Sequence, residues 1–88
     1  MHAVVVRVTI SDREAAEKVV RDDVVPHVSQ APGFVAGYWT RSANSEGLSK
    51  MVFETEQAAC AVADCIRREI YGAVTLDTVE VQEVVLPV

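Results

Sequence analysis

Residues 32–41 read Pro-Gly-Phe-Val-Ala-Gly-Tyr-Trp-Thr-Arg, and this stretch decides the fold of the chain. It opens with a Pro-Gly turn signal and holds three of the chain's five aromatic residues. Because a helix cannot continue through Pro32-Gly33, the dipeptide separates a helix before it from a strand after it. In a regular strand Phe34 shares a face with Tyr38, while Trp39 points to the opposite face. Gly37 inside the strand predicts a bulge or a close backbone approach.

The residues before this turn predict one strand and one helix. Met1 to Ile10 is rich in β-branched residues and apolar on both faces, so we expect a strand that is covered on both sides. Ser11 starts a capping-box pattern and is the predicted helix N-cap. Apolar residues then recur every four positions, which is typical of one buried helix face. These are Ala16, Val20, Val24 and Val28. Pro26 predicts a kink or an early stop, and the helix should end by Ala31.

The residues after the turn predict a hairpin, a helix and a last strand. The polar segment 42–47 joins strand 34–41 to a returning strand, Leu48 to Glu54. Thr55 is the predicted N-cap of a second helix, whose apolar spacing runs to Ile70 and whose C-cap is Gly72. Thr75 to Val88 then reads as a long fourth strand.

This order predicts a single α+β domain over residues 1–88. Strand, helix, strand, strand, helix, strand is the ferredoxin-like βαββαβ pattern, an antiparallel four-stranded sheet with two helices on one face. Half of the 88 residues are hydrophobic, a large share for so small a body, and self-association would cover the excess. The long apolar last strand also needs a partner, so we expect its tail to cross to a second subunit.

Charge and composition exclude several function classes. The net charge is −5, with 13 acidic and 8 basic residues, which disfavours a nucleic-acid partner. No apolar run approaches the roughly 18–20 residues of a membrane helix, and the first residues lack the pattern of a signal peptide. Neither helix has the basic polar face of a membrane-surface helix. We therefore expect a cytoplasmic protein with no membrane partner.

The two cysteines do not point to a disulfide or a metal. Cys60 and Cys65 lie five residues apart in the second predicted helix, about 140° around its axis. That geometry allows neither an unstrained disulfide nor a shared metal ion. No acidic pair, phosphate-binding loop or metal-ligand cluster stands out, so we expect no metal and no cofactor.

Two polar residues are candidates for chemistry. His27 is the only histidine well inside the chain, and imidazoles serve as general bases near neutral pH. Its place near a helix end also suits an exposed or capping histidine. Arg7 is a charge on an otherwise apolar strand and needs a partner. It would either hold an anionic substrate or pair with Glu54, Glu80 or Glu83, and the pairing is the favoured interpretation.

With the pattern placed, the chain resembles the dimeric α+β barrel superfamily, in particular its antibiotic-biosynthesis-monooxygenase-like group. The likeness covers nearly the whole chain and rests on the βαββαβ order and the apolar first strand. The sequence features that carry it are Val25-Pro26-His27, Pro32-Gly33-Phe34, Gly37-Tyr38-Trp39 and Phe53. The Pro-Gly-Phe turn marks the fold rather than an activity, since the superfamily spans many activities.

The resemblance implies a homodimer in which two sheets pack face to face as a barrel, with the helices outside. Some members of the superfamily are cofactor-free oxygenases of polycyclic phenols or quinols, some degrade haem, and others have no known activity. Haem-degrading members use an asparagine on the first strand and a histidine on the second helix. This chain has Arg7 and no asparagine on that strand, and no histidine after His27, which argues against haem degradation.

Two functions follow as hypotheses. The first is a monooxygenase-like protein that binds an aromatic or quinone-type molecule. Tyr38, Trp39 and Phe53 would then shape the substrate site, with His27 and Arg7 as its catalytic polar contacts. The second is a non-catalytic dimer whose own side chains fill the space, which agrees with the usual role of aromatic residues in cores. A cavity of about 300 Å³ or more would count against the second hypothesis.

Overall fold

The computed structural model describes residues 1–69, 72 and 74–86. It has four strands: β1 (His2–Ile10), β2 (Phe34–Arg41), β3 (Glu46–Phe53) and β4 (Val74–Glu83). The helices are α1 (Arg13–Val19), a π-helical segment (Val20–Val24) that leads directly into α2 (Val25–Ser29), and α3 (Glu56–Arg68).

The strands form one antiparallel sheet in the order β2-β3-β1-β4. The predicted hairpin is present, with β2 and β3 as neighbours. The predicted α+β class and four-stranded antiparallel sheet are confirmed, and the arrangement is consistent with a ferredoxin-like fold.

The core lies between one face of the sheet and the helices. Phe53, Met51 and Val4 are its largest fully buried side chains. They pack with Val28 of α2 and with the apolar face of α3. Both helices therefore contribute to the same side of the sheet, which we call the helix face. The other side, which carries Ala3, Val5 and Arg7 of β1, is called the open face.

The structure corrects the expectation that Arg7 of β1 needs a partner. Ala3 and Val5 are shielded within the sheet, at 6% and 5% exposure. Arg7 is exposed and not buried, because no helix of this chain joins the core from that side in the part that the structure describes. Arg7 also forms no ion pair with Glu54, Glu80 or Glu83. The predicted pairing is wrong within the single chain, where the guanidinium is exposed to solvent and needs no partner.

The helix ends differ in detail from the prediction. Asp12, not Ser11, is the N-cap of α1, and its carboxylate accepts a hydrogen bond from the Ala15 N–H at 3.1 Å. A carboxylate there also suits the positive end of the helix dipole. The Thr55 cap of α3 is confirmed, with a 3.1 Å bond from the Ala58 N–H.

The predicted C-cap at Gly72 is wrong. Helix α3 ends at Arg68, and Glu69 is extended, with its N–H bonded to the carbonyls of Cys65 and Ile66. The predicted helical position of Ile70 lies outside the described residues. Cys60 and Cys65 are free and half-buried, in agreement with the helical geometry.

Pro26 does not stop the first helix. The helical segment continues to Ser29, and a π-helical segment stands immediately before the proline-containing turn. Its widened turn bonds the Val25 N–H to the Val20 carbonyl, five residues back. A π segment accommodates the missing proline donor by re-routing the hydrogen bonds, and such segments are frequent at functional sites.

The face assignment of Phe34 is also corrected. A bulge between Phe34 and Ala36 shifts the register, so that Phe34 pairs with Phe53 and points to the helix face. Phe34 therefore lies on the same side as Trp39, while Tyr38 points to the open face. The predicted irregularity near Gly37 is real, but the extra residue is Val35, which is 47% exposed.

Strand β4 is shorter than predicted. It ends at Glu83, and Val85 and Leu86 beyond it are 86% and 79% exposed. Pro87 and Val88, the last residues of the predicted strand, lie outside the described residues. That this tail crosses to a second subunit stays a prediction.

Gly37 provides the first testable prediction. A Cβ atom added there would lie 2.8 Å from Cη2 and Cζ3 of Trp39, so the indole ring packs directly over this glycine. Gly37→Ala should lower the free energy of unfolding by about 1–3 kcal/mol, since the ring must move. Urea unfolding followed by circular dichroism measures the change.

Gly72→Ala is the matched control, because a Cβ there meets no described heavy atom within 4 Å. We expect it to be neutral or slightly stabilising. Equal effects of the two substitutions would contradict the packing of Trp39 over Gly37.

Candidate functional site: an apolar cavity beneath the first helix

A cavity of about 400 Å³ lies between the helix face of the sheet and the first helical segment. Its floor is apolar and comes from the middle strands, from α3 and from β4. The floor residues are Val6, Val8, Met51, Ile66, Val74 and Leu76. Its roof is the inward side of α1 and the π-helical segment. This volume is within the range of small-molecule sites in proteins.

The cavity exists because the roof residues are small. Ala16 of α1 and Val20 and Val24 of the π-helical segment face the sheet at the four-residue spacing predicted from the sequence. Alanine and valine reach only a short way from a helix axis, and α1 makes few close contacts with the sheet. In contrast, α3 packs directly against β1, β3 and β4. The space is therefore confined to the half of the sheet under α1.

Trp39 forms one wall of the cavity. Its ring lies over Gly37 on the helix face, and the side chain is half-buried. A flat, half-buried indole beside an apolar floor is a surface on which another aromatic ring can stack. The small residue at position 37 is what lets the ring lie close to the sheet.

Charged residues gather where the cavity meets solvent, and we call this group the mouth. It consists of Arg13 and Glu17 of α1 and Arg41 at the end of β2, all exposed. Arg41 Nη1 lies 3.4 Å from Glu17 Oε2. Among the described residues none of the buried core is polar or charged, so the charges of the cavity are confined to its mouth.

The structure brings only one of the predicted aromatic site residues to the cavity. Trp39 lines it, whereas Tyr38 is 68% exposed on the open face. Phe53 is 0% exposed and packs edge-to-face on Phe34, with ring centroids 5.8 Å apart. Phe53 thus supports the core beside the cavity and does not line it.

The two predicted polar contacts lie elsewhere. Arg7 lines a second depression of about 290 Å³ on the open face, together with Glu46 and Asp77. His27 is exposed on α2 and does not line the apolar cavity. Its side chain forms no hydrogen bond in the part of the chain that the structure describes. Apart from Phe53, which is buried in the core, the candidate site residues are therefore spread over three surfaces.

Sequence reasoning missed the mouth. Arg41 ends a strand, and Arg13 and Glu17 are polar positions of the first predicted helix, so the pattern alone marks the three only as surface charges. One signal was available for Arg41, since alternation places it on the same strand face as Trp39. The position of α1 above the sheet, which brings Arg13 and Glu17 to the same place, has no sequence signal of its own.

Comparison with known proteins does not identify the site. No protein-family model matches the chain, and no curated protein matches it at a significant level. Over residues 1–69, 72 and 74–86, no group of three or more His, Cys, Asp or Glu side chains is placed to hold a metal ion. The described helices are also too short or too polar for any of them to span a membrane.

Proposed function

We propose that this protein binds a flat aromatic or quinone-type small molecule in the cavity beneath α1. The observation that carries the proposal is a cavity of about 400 Å³ with an apolar floor and an indole wall. The recess is open to solvent on one side, and its volume is large enough for a small ring system, because ligand sites in proteins span about 300–1,000 Å³. Trp39 offers the stacking surface, and the valines of the roof complete the apolar lining of the cavity.

The resemblance to the monooxygenase-like group extends the proposal to oxidation of a bound phenol to a quinone by dioxygen without a cofactor, with one oxygen atom entering the product and the other leaving as water. In this extension the residues of the mouth replace His27 and Arg7 as the polar contacts. Arginine side chains there would favour the anionic form of a phenol or quinol, since a nearby opposite charge stabilises an ionised group. A deprotonated phenol donates electrons more readily than the neutral form does.

The proposal includes a homodimer formed through the open face, as in the superfamily that the sequence resembles. Two exposed residues support it: Tyr38 at 68% and Val35 at 47% exposure lie on β2. Around them the open face carries the half-buried apolar residues Leu48 and Val52. A second sheet packed on this face would bury the surface that a single chain leaves in water.

A thermal-shift screen tests the binding proposal. The panel contains quinones, polycyclic phenols, haem and flavins. A ligand present at about 100 times its dissociation constant stabilises the folded state by about 2.7 kcal/mol, which should raise the melting temperature of so small a domain by about 15 °C. We expect this shift from quinones or polycyclic phenols.

Two variants of the same helical segment make the screen specific to the cavity. Val20 lines the cavity and Val25 does not, although both are half-buried valines. Val20→Phe should fill the cavity and abolish the shift, while Val25→Phe should keep it. No shift in the wild-type protein for any compound, with cooperative unfolding, would favour the alternative of a non-catalytic dimer.

A further inference from the structure

The charges at the mouth specify which aromatic molecules the cavity takes. We infer that the ligand carries a carboxylate at one end of its ring system, held by Arg41 and Arg13. This inference rests on the proposed function, because it assumes that the ring system lies in the cavity. It adds the chemical class of the ligand and the residues that select it.

The ion pairs at the mouth leave positive charge available. Glu17 is the only carboxylate that lines the cavity among the described residues. It is shared, with Arg41 Nη1 at 3.4 Å and Arg21 Nη1 at 4.0 Å from its two oxygens. Arg13 forms no ion pair within the part of the chain that the structure describes. The mouth therefore holds two guanidinium groups, those of Arg13 and Arg41, and one carboxylate, that of Glu17, which already interacts with two arginines.

The apolar interior decides where a charged group of the ligand can lie. A carboxylate on the floor would lose its hydration without gaining a hydrogen bond, which is costly. At the mouth the same group stays partly hydrated and meets the donors of Arg41 and Arg13. Arginine presents its N–H groups in a planar fork that matches the two oxygens of a carboxylate. The ligand can therefore lie in only one orientation, with its ring system in the cavity and its carboxylate at the mouth.

The inference is tested with two matched probes, anthraquinone-2-carboxylate and anthraquinone-2-carboxamide. They have the same ring system and nearly the same shape, and they differ in charge. Equilibrium dialysis at low ionic strength gives both dissociation constants. We expect the carboxylate to bind about tenfold more tightly, as charge-assisted hydrogen bonds exceed neutral ones. The preference should shrink at high salt, because exposed charges are screened.

Variants assign the preference to the mouth. The double variant Arg13→Gln, Arg41→Gln should lose the tenfold preference, because it weakens binding of the carboxylate much more than binding of the carboxamide. Lys18→Gln is the control, since Lys18 is also an exposed cation of α1 but does not line the cavity. It should keep the preference.

The outcomes separate this inference from the proposed function. Equal binding of the two probes by the wild-type protein would overturn the selection for a carboxylate and leave the cavity as a neutral aromatic site. A preference that survives in the double variant would equally overturn the assignment to Arg13 and Arg41. Binding of neither probe, with a folded protein, would overturn the aromatic site itself.

Discussion

Replacing Phe53 by alanine is expected to lower the free energy of unfolding by about 3–5 kcal/mol, the cost of removing a fully buried aromatic ring and leaving a cavity. Phe53 is 0% exposed, ends β3 and packs edge-to-face on Phe34 across the hairpin. Small domains are stable by only about 5–15 kcal/mol, so the variant should be close to unfolding at ambient temperature. Urea unfolding at a fixed protein concentration measures the loss.

Phe53→Leu is the matched control. It keeps an apolar side chain of similar reach, so its cost should be about 1–1.5 kcal/mol. Its ligand affinity in the cavity should match that of the wild type, because Phe53 does not line the cavity. A Phe53→Leu protein with wild-type stability and no ligand binding would restore the substrate-contact role that the sequence predicts for Phe53.

Tyr38→Glu is expected to dissociate the proposed dimer while the fold stays intact. Tyr38 is 68% exposed in the single chain, so its replacement removes little packing within one subunit. Within a sheet-to-sheet interface a well-packed tyrosine can contribute about 2 kcal/mol or more, and a buried unpaired carboxylate adds a further cost. The dissociation constant of the dimer should therefore rise by about thirtyfold or more. Sedimentation velocity over a concentration series measures it.

Ala61→Glu is the control for added surface charge. Ala61 is exposed on α3, on the helical side of the molecule and away from the open face. This variant should sediment like the wild type, at twice the 9.6 kDa of one chain. A wild-type protein that sediments as a monomer at micromolar concentration would contradict the dimer directly.

The fold was readable because its signals are local. The Pro-Gly turn at residues 32–33, the hairpin and the Thr55 cap each depend on a few adjacent residues, and the structure has all three. The errors are local as well. A capping box and an Asp N-cap one residue later have almost the same sequence pattern, so the pattern does not distinguish them. A bulge at Val35 moves Phe34 to the other face of the sheet without changing the length of the strand.

The cavity was harder to predict, because it depends on where α1 stands relative to the sheet. The four-residue repeat of Ala16, Val20 and Val24 correctly gave the inward face, but small residues also suit a helix packed tightly on a sheet. Which of the two occurs is a matter of tertiary geometry. The π-helical segment before Pro26 makes the position of α1 harder still to predict, because no sequence rule distinguishes such a segment from a kink.

The positions of the candidate residues also depend on tertiary geometry that the sequence pattern does not predict. Alternation predicts that Tyr38 and Trp39 point apart, and they do. It does not say which face the helices cover, so the cavity and the open face could not be assigned to one residue or the other. Arg7 and Arg41 differ in the same way, and only the observed sheet places Arg41 beside the cavity.

The fluorescence of Trp39, which forms one wall of the cavity, gives the most direct test of the cavity as an aromatic site. Trp39 is the chain's only tryptophan, so its fluorescence, excited at the red edge to avoid the tyrosines, reports on the cavity alone. A bound anthraquinone accepts an electron from the excited indole at contact. Titration with anthraquinone-2-carboxamide should give saturable quenching in the wild type and in Val25→Phe, and none in Val20→Phe. Quenching that does not saturate, or that is the same in all three proteins, would contradict binding against Trp39.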